Sequence, residues 1–381
     1  MNEELTEQQV LLRNTVREFA EGEVAPVAEE LDRESRFPYA IVAKLGELGF
    51  MGMPVPEELG GAGLDTLSYA IAIEELARVD SSVAITVAAH SSLGTMPIVM
   101  FGDAAQKERW VPELASGRML GAFGLTEPDA GSDAGATRTT AVEDGDGGWV
   151  VNGSKMFITN AGTDLTGCCT ITARTDDVEI TNFIVPADAP GYVAGPPLRK
   201  IGWRASDTRP LSFEDLRLDG GAQLGPRGEG FRQFLKVLDG GRISVGAIGL
   251  GLAQGAFEMA LRHTKQRRQF GRAIVGFQSV QFQLADMATE IAQARSLLYL
   301  AARMKDAEDR FTKAAAMAKL VTGRLAQTVA ERALHLHGGY GWMEDSPIGR
   351  FYRDAKILDI GEGTVEVQKM VIARAIGAYE E

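Results

Sequence analysis

The chain has 381 residues, of which 45% are apolar and 24% charged, and a formal net charge of −13. That is the composition of an ordinary globular protein of two or three domains with ample material for a core. The acidic balance argues against nucleic acid or an anionic membrane surface as the principal partner.

The N-terminus, MNEELTEQQ, is acidic and lacks the basic-then-apolar layout of a targeting peptide. Thr6 followed by Gln9 resembles a capping box, and Val10, Val16 and Phe19 then fall near one face of a helix that should fray near Pro26. Further helices are predicted over residues 40–48, 69–78 and 83–93, separated by the Gly- and Pro-rich loop MPVPEELGGAGLD. Glu74-Glu75 reads as a solvated helix face, because adjacent helical positions point in different directions. The pattern changes near Met119. LGAFGLT, ATRTTAVE, GWVVNGSKMFIT, CCTITAR, ITNFIVP and RPLSFEDLRL are strand-like, with Asn152-Gly153 as the strongest hairpin signal. Cys168 and Cys169 are adjacent, which suits neither a disulfide framework nor a metal one, and a reduced cytoplasm is expected.

Beyond Gly230 the chain is helical again. Phe231, Leu235, Leu238, Val245, Ile248 and Leu252 keep helical spacing, and glycines 246, 249, 251 and 255 should let a neighbour pack closely. Later helices are expected over residues 279–307, 311–337 and 365–379, and four long helices with short connections suggest a bundle. No uninterrupted apolar run approaches the roughly 20 residues needed to span a bilayer. The expected fold is therefore α+β: an N-terminal helical domain (1–118), a middle antiparallel β domain (119–226) and a C-terminal four-helix bundle (227–381).

Several segments carry chemical possibilities. The loop at residues 126–133 presents hydroxyls, small residues and free amides after a strand; it suits a ligand-binding loop or an ordinary turn cluster. Phe157-Ile158-Thr159 offers an aromatic face and one hydroxyl, or simply a core aromatic. The basic run RHTKQRRQFGR is either a solvated helix end or a diphosphate clamp, since arginine binds phosphate oxygens bidentately. His335-x-His337 lacks the further ligands of a metal site. In IGEGT, Glu362 stands between two glycines, so backbone and substrate can approach the carboxylate closely; the same break also suits a plain surface turn.

Together the segments GLTEPDAGSDAGA, NGSKMFITNA, RRQFGRAIVGFQSVQ, HGGYG and YRDAKILDIGEGTVEVQ resemble, in order, the motifs of the acyl-CoA dehydrogenases. The resemblance implies the same α, β, α arrangement, a homotetramer, one FAD per subunit, and oxidation of an acyl-CoA thioester to its trans-2-enoyl-CoA. It makes Glu362 the base that removes the α-proton while the β-hydrogen leaves as hydride to the flavin, with electrons then passing to electron-transferring flavoprotein. It puts Phe123, Leu125, Gly131 and Ser132 around the isoalloxazine with Phe157 and Ile158, and gives Thr126 and Thr159 hydrogen bonds to it. Arg267, Gln278, His335, Gly338 and Gly339 would hold the diphosphate and adenosine of a neighbouring subunit's FAD, while Thr364 and Glu366 would lie near FAD. Ser132, Asp239, Arg242 and Gly363 would line the thioester tunnel. The chain departs from common family residues in having Gly361 for Tyr, Phe157 for Trp and His335 for Gln. At Gly241, where a subset of the family carries its base, there is no carboxylate, so Glu362 has no competitor. Related alternatives are an oxygen-using oxidase or monooxygenase, and a non-catalytic acyl-CoA- or flavin-binding scaffold.

Overall fold

Thr6 and Gln9 start the first helix by capping each other: Gln9 N donates to Thr6 Oγ1 at 3.2 Å, and Thr6 N to Gln9 Oε1 at 3.1 Å. The pair satisfies two of the donors that a helix start leaves open. The computed structural model describes residues 5–378. Helix α1 (Glu7–Phe19) does not fray near Pro26; a π-helical turn, Ala20–Val24, carries the chain into α2 (Ala25–Glu34). Pro26 lies in the first turn of α2, where its missing N–H removes no intrahelical bond. Helices α3 (Tyr39–Glu47), α4 (Thr66–Val79), α5 (Ser81–Ala88), α6 (Met96–Phe101) and α7 (Ala104–Ala115) follow, with a second π-helical stretch, Ala89–Thr95, before α6.

Glu74 and Glu75 overturn their sequence reading. Both are buried in α4, a helix enclosed on almost every side. Arg295 Nη2 donates to Glu74 at 2.7 Å and Tyr299 Oη at 2.9 Å; Arg17 and Arg78 donate to Glu75 at 2.8 and 2.9 Å. The two carboxylates do point in different directions, but each finds a cation from another segment, Arg295 for Glu74 and Arg17 for Glu75, with Arg78 of the same helix as a second partner of Glu75.

One sheet contains β1 (Leu120–Gly124), β2 (Thr140–Glu143), β3 (Trp149–Thr159), β4 (Thr166–Arg174), β5 (Ile180–Pro186), β6 (Tyr192–Ala194), β7 (Thr208–Leu218) and β8 (Gln223–Leu224). Its order is β6-β7-β3-β2-β4-β5-β8, with β1 also paired to β4. The expected antiparallel pairing is modified at β4, where β1 and β2 both run parallel to it. Strand β1 enters from α7 and meets β4 only after the β2–β3 hairpin, a connection long enough for a crossover. The Asn152-Gly153 pair is not the hairpin turn. Gly153, at φ +147°, lies on a register shift inside β3, and the turn is residues 144–148, where Asp144 Oδ1 accepts from Asp146 N and Gly148 N. Its Asp-Gly-Asp-Gly-Gly sequence supplies equivalent turn chemistry.

The C-terminal part comprises α8 (Gly230–Gln266), the small hairpin β9 (Arg268–Gln269) and β10 (Arg272–Ala273), then α9 (Gln278–Asp306), α10 (Thr312–His337), α11 (Pro347–Ala355) and α12 (Val365–Ala375). The predicted helix end at Tyr379 lies outside the described residues. Among the described residues two helical stretches, Ser81–Phe101 and Gly230–Gln266, contain an apolar window long enough to cross a membrane, and 83% and 78% of those windows are buried in the protein. They are core helices. At the start of α8 the buried stripe is Phe234 and Val237, not Phe231 and Leu235. Phe234 is drawn inward by stacking on Phe123 of β1, with ring centroids 4.1 Å apart.

The α8 glycines act as the sequence suggests. A Cβ on Gly249 would stand 2.9 Å from Thr322 O of α10, and one on Gly251 only 2.1 Å from Glu74 O of α4. Backbone cannot yield to such an overlap as a side-chain tip could. Gly251→Ala should therefore destabilise the protein by at least about 3 kcal/mol, measured as a lower denaturation midpoint; a change within ~0.5 kcal/mol would contradict this packing.

His90, in the second π-helical stretch, joins the helices to the sheet. Its Nδ1 accepts Gly121 N–H at 3.0 Å, so Nε2 carries the proton and donates to Leu114 O, also at 3.0 Å. Burial pulls its pKa down to about 4. An unfolded histidine titrates near ~6.5, so on acidification the unfolded state takes up the proton first. Stability is retained above that value and lost as pH falls through the interval, by roughly 3 kcal/mol at its end. Chemical denaturation at neutral pH and at the acid end should show this loss in the wild type and its absence in His90→Gln.

Candidate active site

Between α11 and α12 the chain makes a 3₁₀ turn, Lys356–Asp359, and then the IGEGT break. Glu362 adopts φ +51° and Gly363 φ +90°. The first is a left-handed conformation that costs a non-glycine residue about 1 kcal/mol or more. It is held from both sides. Lys319 Nζ of α10 donates to Gly363 O at 2.6 Å and Leu358 O at 2.8 Å, and Gln368 Nε2 donates to Gly363 O at 3.0 Å and Glu362 O at 3.4 Å. Thr364 caps α12 by accepting Val367 N–H at 3.3 Å. Gly363 is held to glycine by its φ of +90°, a conformation that side-chain-bearing residues rarely adopt.

The Glu362 side chain turns inward. Its Oε2 is buried with no hydrogen-bond partner, and a Cβ on Gly241 of α8 would lie 3.2 Å from it and 3.0 Å from Leu93 Cδ2. The bare Gly241 thus leaves the space that the carboxylate uses. Burial pushes the Glu362 pKa up to about 7, with the Lys319 and Arg242 charges opposing the rise. Arg242 is itself buried and ion-paired with Asp239, whose other oxygen accepts from Thr312 Oγ1 at 2.8 Å. A carboxylate that burial has brought close to neutral pH is suited to accept a proton from carbon or oxygen. Asp239, Arg242, Glu362 and Gly363 therefore form one neighbourhood.

A second neighbourhood lies on the sheet. Met156 N donates to Thr126 O at 2.8 Å, tying the loop after β1 to the end of β3. Beneath it, fully buried Lys155 donates to Glu127 at 2.7 Å, Leu125 O at 3.3 Å and Thr172 Oγ1 at 3.0 Å. Glu127 also accepts from Thr137 and from the Arg138 and Thr139 amides. Phe157 is not a core aromatic: at φ +63°, on a register shift between Lys155 and Ile158, its ring is 64% exposed, while Ile158 takes the core position. The bulge re-aims the ring outward. The Thr126 and Thr159 side chains make no hydrogen bond within the described residues. A platform with an outward aromatic ring, two uncommitted hydroxyls and the exposed rim of Gly131 and Ser132 fits a planar heteroaromatic cofactor.

Glu127 and Lys155 had no assigned role in the sequence reading. Lys155 has the same strand parity as the buried Trp149 and Val151, so an inward-facing charge was detectable. Lys319 was likewise detectable, on the buried helical stripe with Ala315, Thr322 and Ala326.

The third group is divided. Arg267, Gly338 and Gly339 line one surface cleft with His263 and Tyr340, and the Arg267 guanidinium lies over the Tyr340 ring at 5.5 Å. Gln278, in the first turn of α9, and His335 are exposed and do not line it. His337 stacks on His263 at 4.2 Å and its Nδ1 is bonded to Ala333 O. Thr364 and the exposed Glu366 sit at the start of α12. Among the described residues no group of three or more His, Cys, Asp or Glu is placed to hold a metal.

Family models match in chain order: the acyl-CoA dehydrogenase N-terminal domain over residues 6–118, the middle domain over 122–216 and the C-terminal domain over 228–377. The short-chain-specific acyl-CoA dehydrogenase of Clostridium acetobutylicum is 46% identical across 99% of this chain and 100% of its own. Butyryl-CoA dehydrogenase from Megasphaera elsdenii superposes with a TM-score of 0.95 at 42% identity, covering 99% of this chain and 100% of that one. A chain from a structure of the electron transferring flavoprotein of Acidaminococcus fermentans, described in terms of flavin-based electron bifurcation, gives 0.96 at 44% identity and covers 99% of both chains. The chain belongs to the acyl-CoA dehydrogenase family and is an FAD-dependent oxidoreductase acting on acyl-CoA.

Proposed function

We propose that the protein converts a short-chain acyl-CoA to its trans-2-enoyl-CoA, that Glu362 is the base, and that electron-transferring flavoprotein takes the electrons. The observation that carries the reading is the buried, unpartnered Glu362 Oε2 beside Gly241. Glu362 takes the α-proton, and the electrons of that C–H bond become the new C=C bond as the β-hydrogen leaves. FAD, when bound, supplies the acceptor for that hydride. The Glu362 N–H, on the pinned turn, is the chain's own donor for the thioester oxygen, where negative charge builds as the α-proton departs. Arg242, Asp239, Gly363 and Ser132 line the approach.

Phe123, Leu125, Thr126, Gly131, Ser132, Phe157, Ile158 and Thr159 hold the isoalloxazine in this reading. Arg267, Gln278, His335, Gly338 and Gly339 reach the diphosphate and adenosine of a neighbouring copy's FAD, and Thr364 and Glu366 lie near the cofactor. A homotetramer is supported by strongly exposed apolar residues on the C-terminal part, among them Phe270, Trp342 and Ile376. Free, buried Cys168 and Cys169 suit a reducing cytoplasm.

The short-chain assignment rests on the relatives' named substrates. Gly361 adds an opening: the atoms nearest to a Cβ there belong to Ile357, at 3.5 Å or more, so a side chain would fit without overlap. That space would admit a branch or a longer chain. An anaerobic screen of straight, branched, aromatic and dicarboxylic acyl-CoAs tests the assignment by flavin bleaching, with the fastest bleaching expected from short monocarboxylic thioesters. No bleaching by any of them would sink it. Peroxide formed at the rate of turnover in air would reassign the electrons to oxygen.

A further inference from the structure

Lys319 is an ammonium group in the core of the helical bundle, 2% exposed. Two of its three donors are used on main-chain carbonyls, Leu358 O and Gly363 O, which bracket Glu362 in sequence. No carboxylate lies within ion-pair reach of it in the described structure, so its charge is balanced only through space. We infer that Lys319 is a positioning residue for the Glu362 base: it pins the left-handed turn and supplies the positive charge against which that carboxylate ionises. The inference rests on the reading of Glu362 as base.

Two facts separate this role from ordinary core packing. A neutral residue could make the same two carbonyl bonds, and Gln368 already does so for Gly363 O and Glu362 O. Lys319 adds charge to that geometry. Burial lowers its own pKa to about 8, and the Glu362 and Asp359 charges act against that lowering. The charged and titratable groups around the site are Lys319 from α10, Arg242 paired with Asp239 from α8, Tyr69 from α4, Asp359 from the 3₁₀ turn and Glu366 from α12. Arg242 has an ion-pair partner in Asp239, which leaves Lys319 as the cation of this group without a paired carboxylate.

The test compares holoenzymes of the wild type, Lys319→Met and Gln368→Leu. Lys319→Met should retain bound flavin and the native fold, because a linear apolar side chain of similar volume replaces a buried charge. Its acid limb for anaerobic flavin reduction should move up by about one pH unit, and reduction at neutral pH should slow roughly fivefold. Gln368→Leu should slow reduction at every pH and leave the limb in place. Independently of turnover, the Glu362 carboxylic acid band in the infrared spectrum of substrate-free enzyme, assigned against Glu362→Gln, should disappear at a correspondingly higher pH in Lys319→Met. If Lys319→Met does not fold, Lys319→Gln gives the same comparison, with donors kept and charge removed. An unmoved limb and an unmoved carboxyl titration in the neutral variants overturn the inference. Normal flavin reduction by Glu362→Gln would instead overturn the assignment of the base, so the two failures are distinct.

Discussion

Glu362→Gln is expected to keep its flavin and to lose flavin reduction by acyl-CoA by about ten-thousandfold. Glutamine matches the shape of glutamate, and the contacts that hold the turn come from Lys319 and Gln368 to main-chain carbonyls, so the backbone arrangement survives. What disappears is the proton acceptor. The buried Oε2 has no hydrogen-bond partner to compete for its lone pair, and burial has brought its pKa to about 7, so in the wild type the basic form is abundant at neutral pH. An amide has no comparable basicity, and the loss corresponds to roughly 5 kcal/mol of barrier. Stopped-flow absorbance under anaerobic conditions measures it directly. A reduction rate within tenfold of the wild type would mean that another group removes the proton.

Lys155→Met should lower both stability and cofactor binding. Lys155 is fully buried beneath the loop that carries Thr126, and its ammonium joins Glu127, Leu125 O and Thr172. Burial lowers its pKa to about 8, while the opposing Glu127 carboxyl is held at about 2, its burial outweighed by Lys155 and by hydrogen bonds from Thr137 and Arg138. Removing the cation strands a buried carboxylate, which typically costs ~3–5 kcal/mol. The cost falls on the loop whose Thr126 O accepts from Met156 N, so its alignment with Phe157 and Thr159 is lost as well. The expected results are a denaturation free energy lower by about 3 kcal/mol and FAD binding weakened at least about tenfold, since a loop displaced from its ligand gives up about 1.4 kcal/mol or more. Unchanged FAD affinity with unchanged stability would remove Lys155 from the cofactor platform.

The helices and strands were legible wherever one period dominated. The capping box at Thr6 and Gln9, the four bundle helices and the strands β1 to β5 and β7 follow from local pattern alone, whereas the three-residue β6 was too short to be read. The glycines of α8 were legible too, because only a close neighbour explains so many within one helix. The errors share a cause. Glu74-Glu75 looked solvated because the cations that neutralise them, Arg17 and Arg295, come from distant segments. Asn152-Gly153 looked like a turn because a strand bulge and a hairpin favour the same residues, and only the pairing of β3 with β7 distinguishes them. Phe157 could be read as a core ring until the register shift turned it outward. At the candidate active site, the Glu362 turn was identifiable as a motif. Its clamp was not: the stripe that Lys319 shares with Ala315, Thr322 and Ala326 marks it as inward-facing, but nothing local shows that it meets a turn 43 positions later.

The central claim is that Glu362 takes the α-proton from an acyl-CoA. The most direct measurement mixes wild-type and Glu362→Gln holoenzymes anaerobically with butyryl-CoA tritiated at the α-carbon and follows label released to water together with flavin bleaching. The wild type should release tritium as its flavin bleaches, and Glu362→Gln should do neither while still binding the thioester. Release of tritium by Glu362→Gln at the wild-type rate would contradict the account.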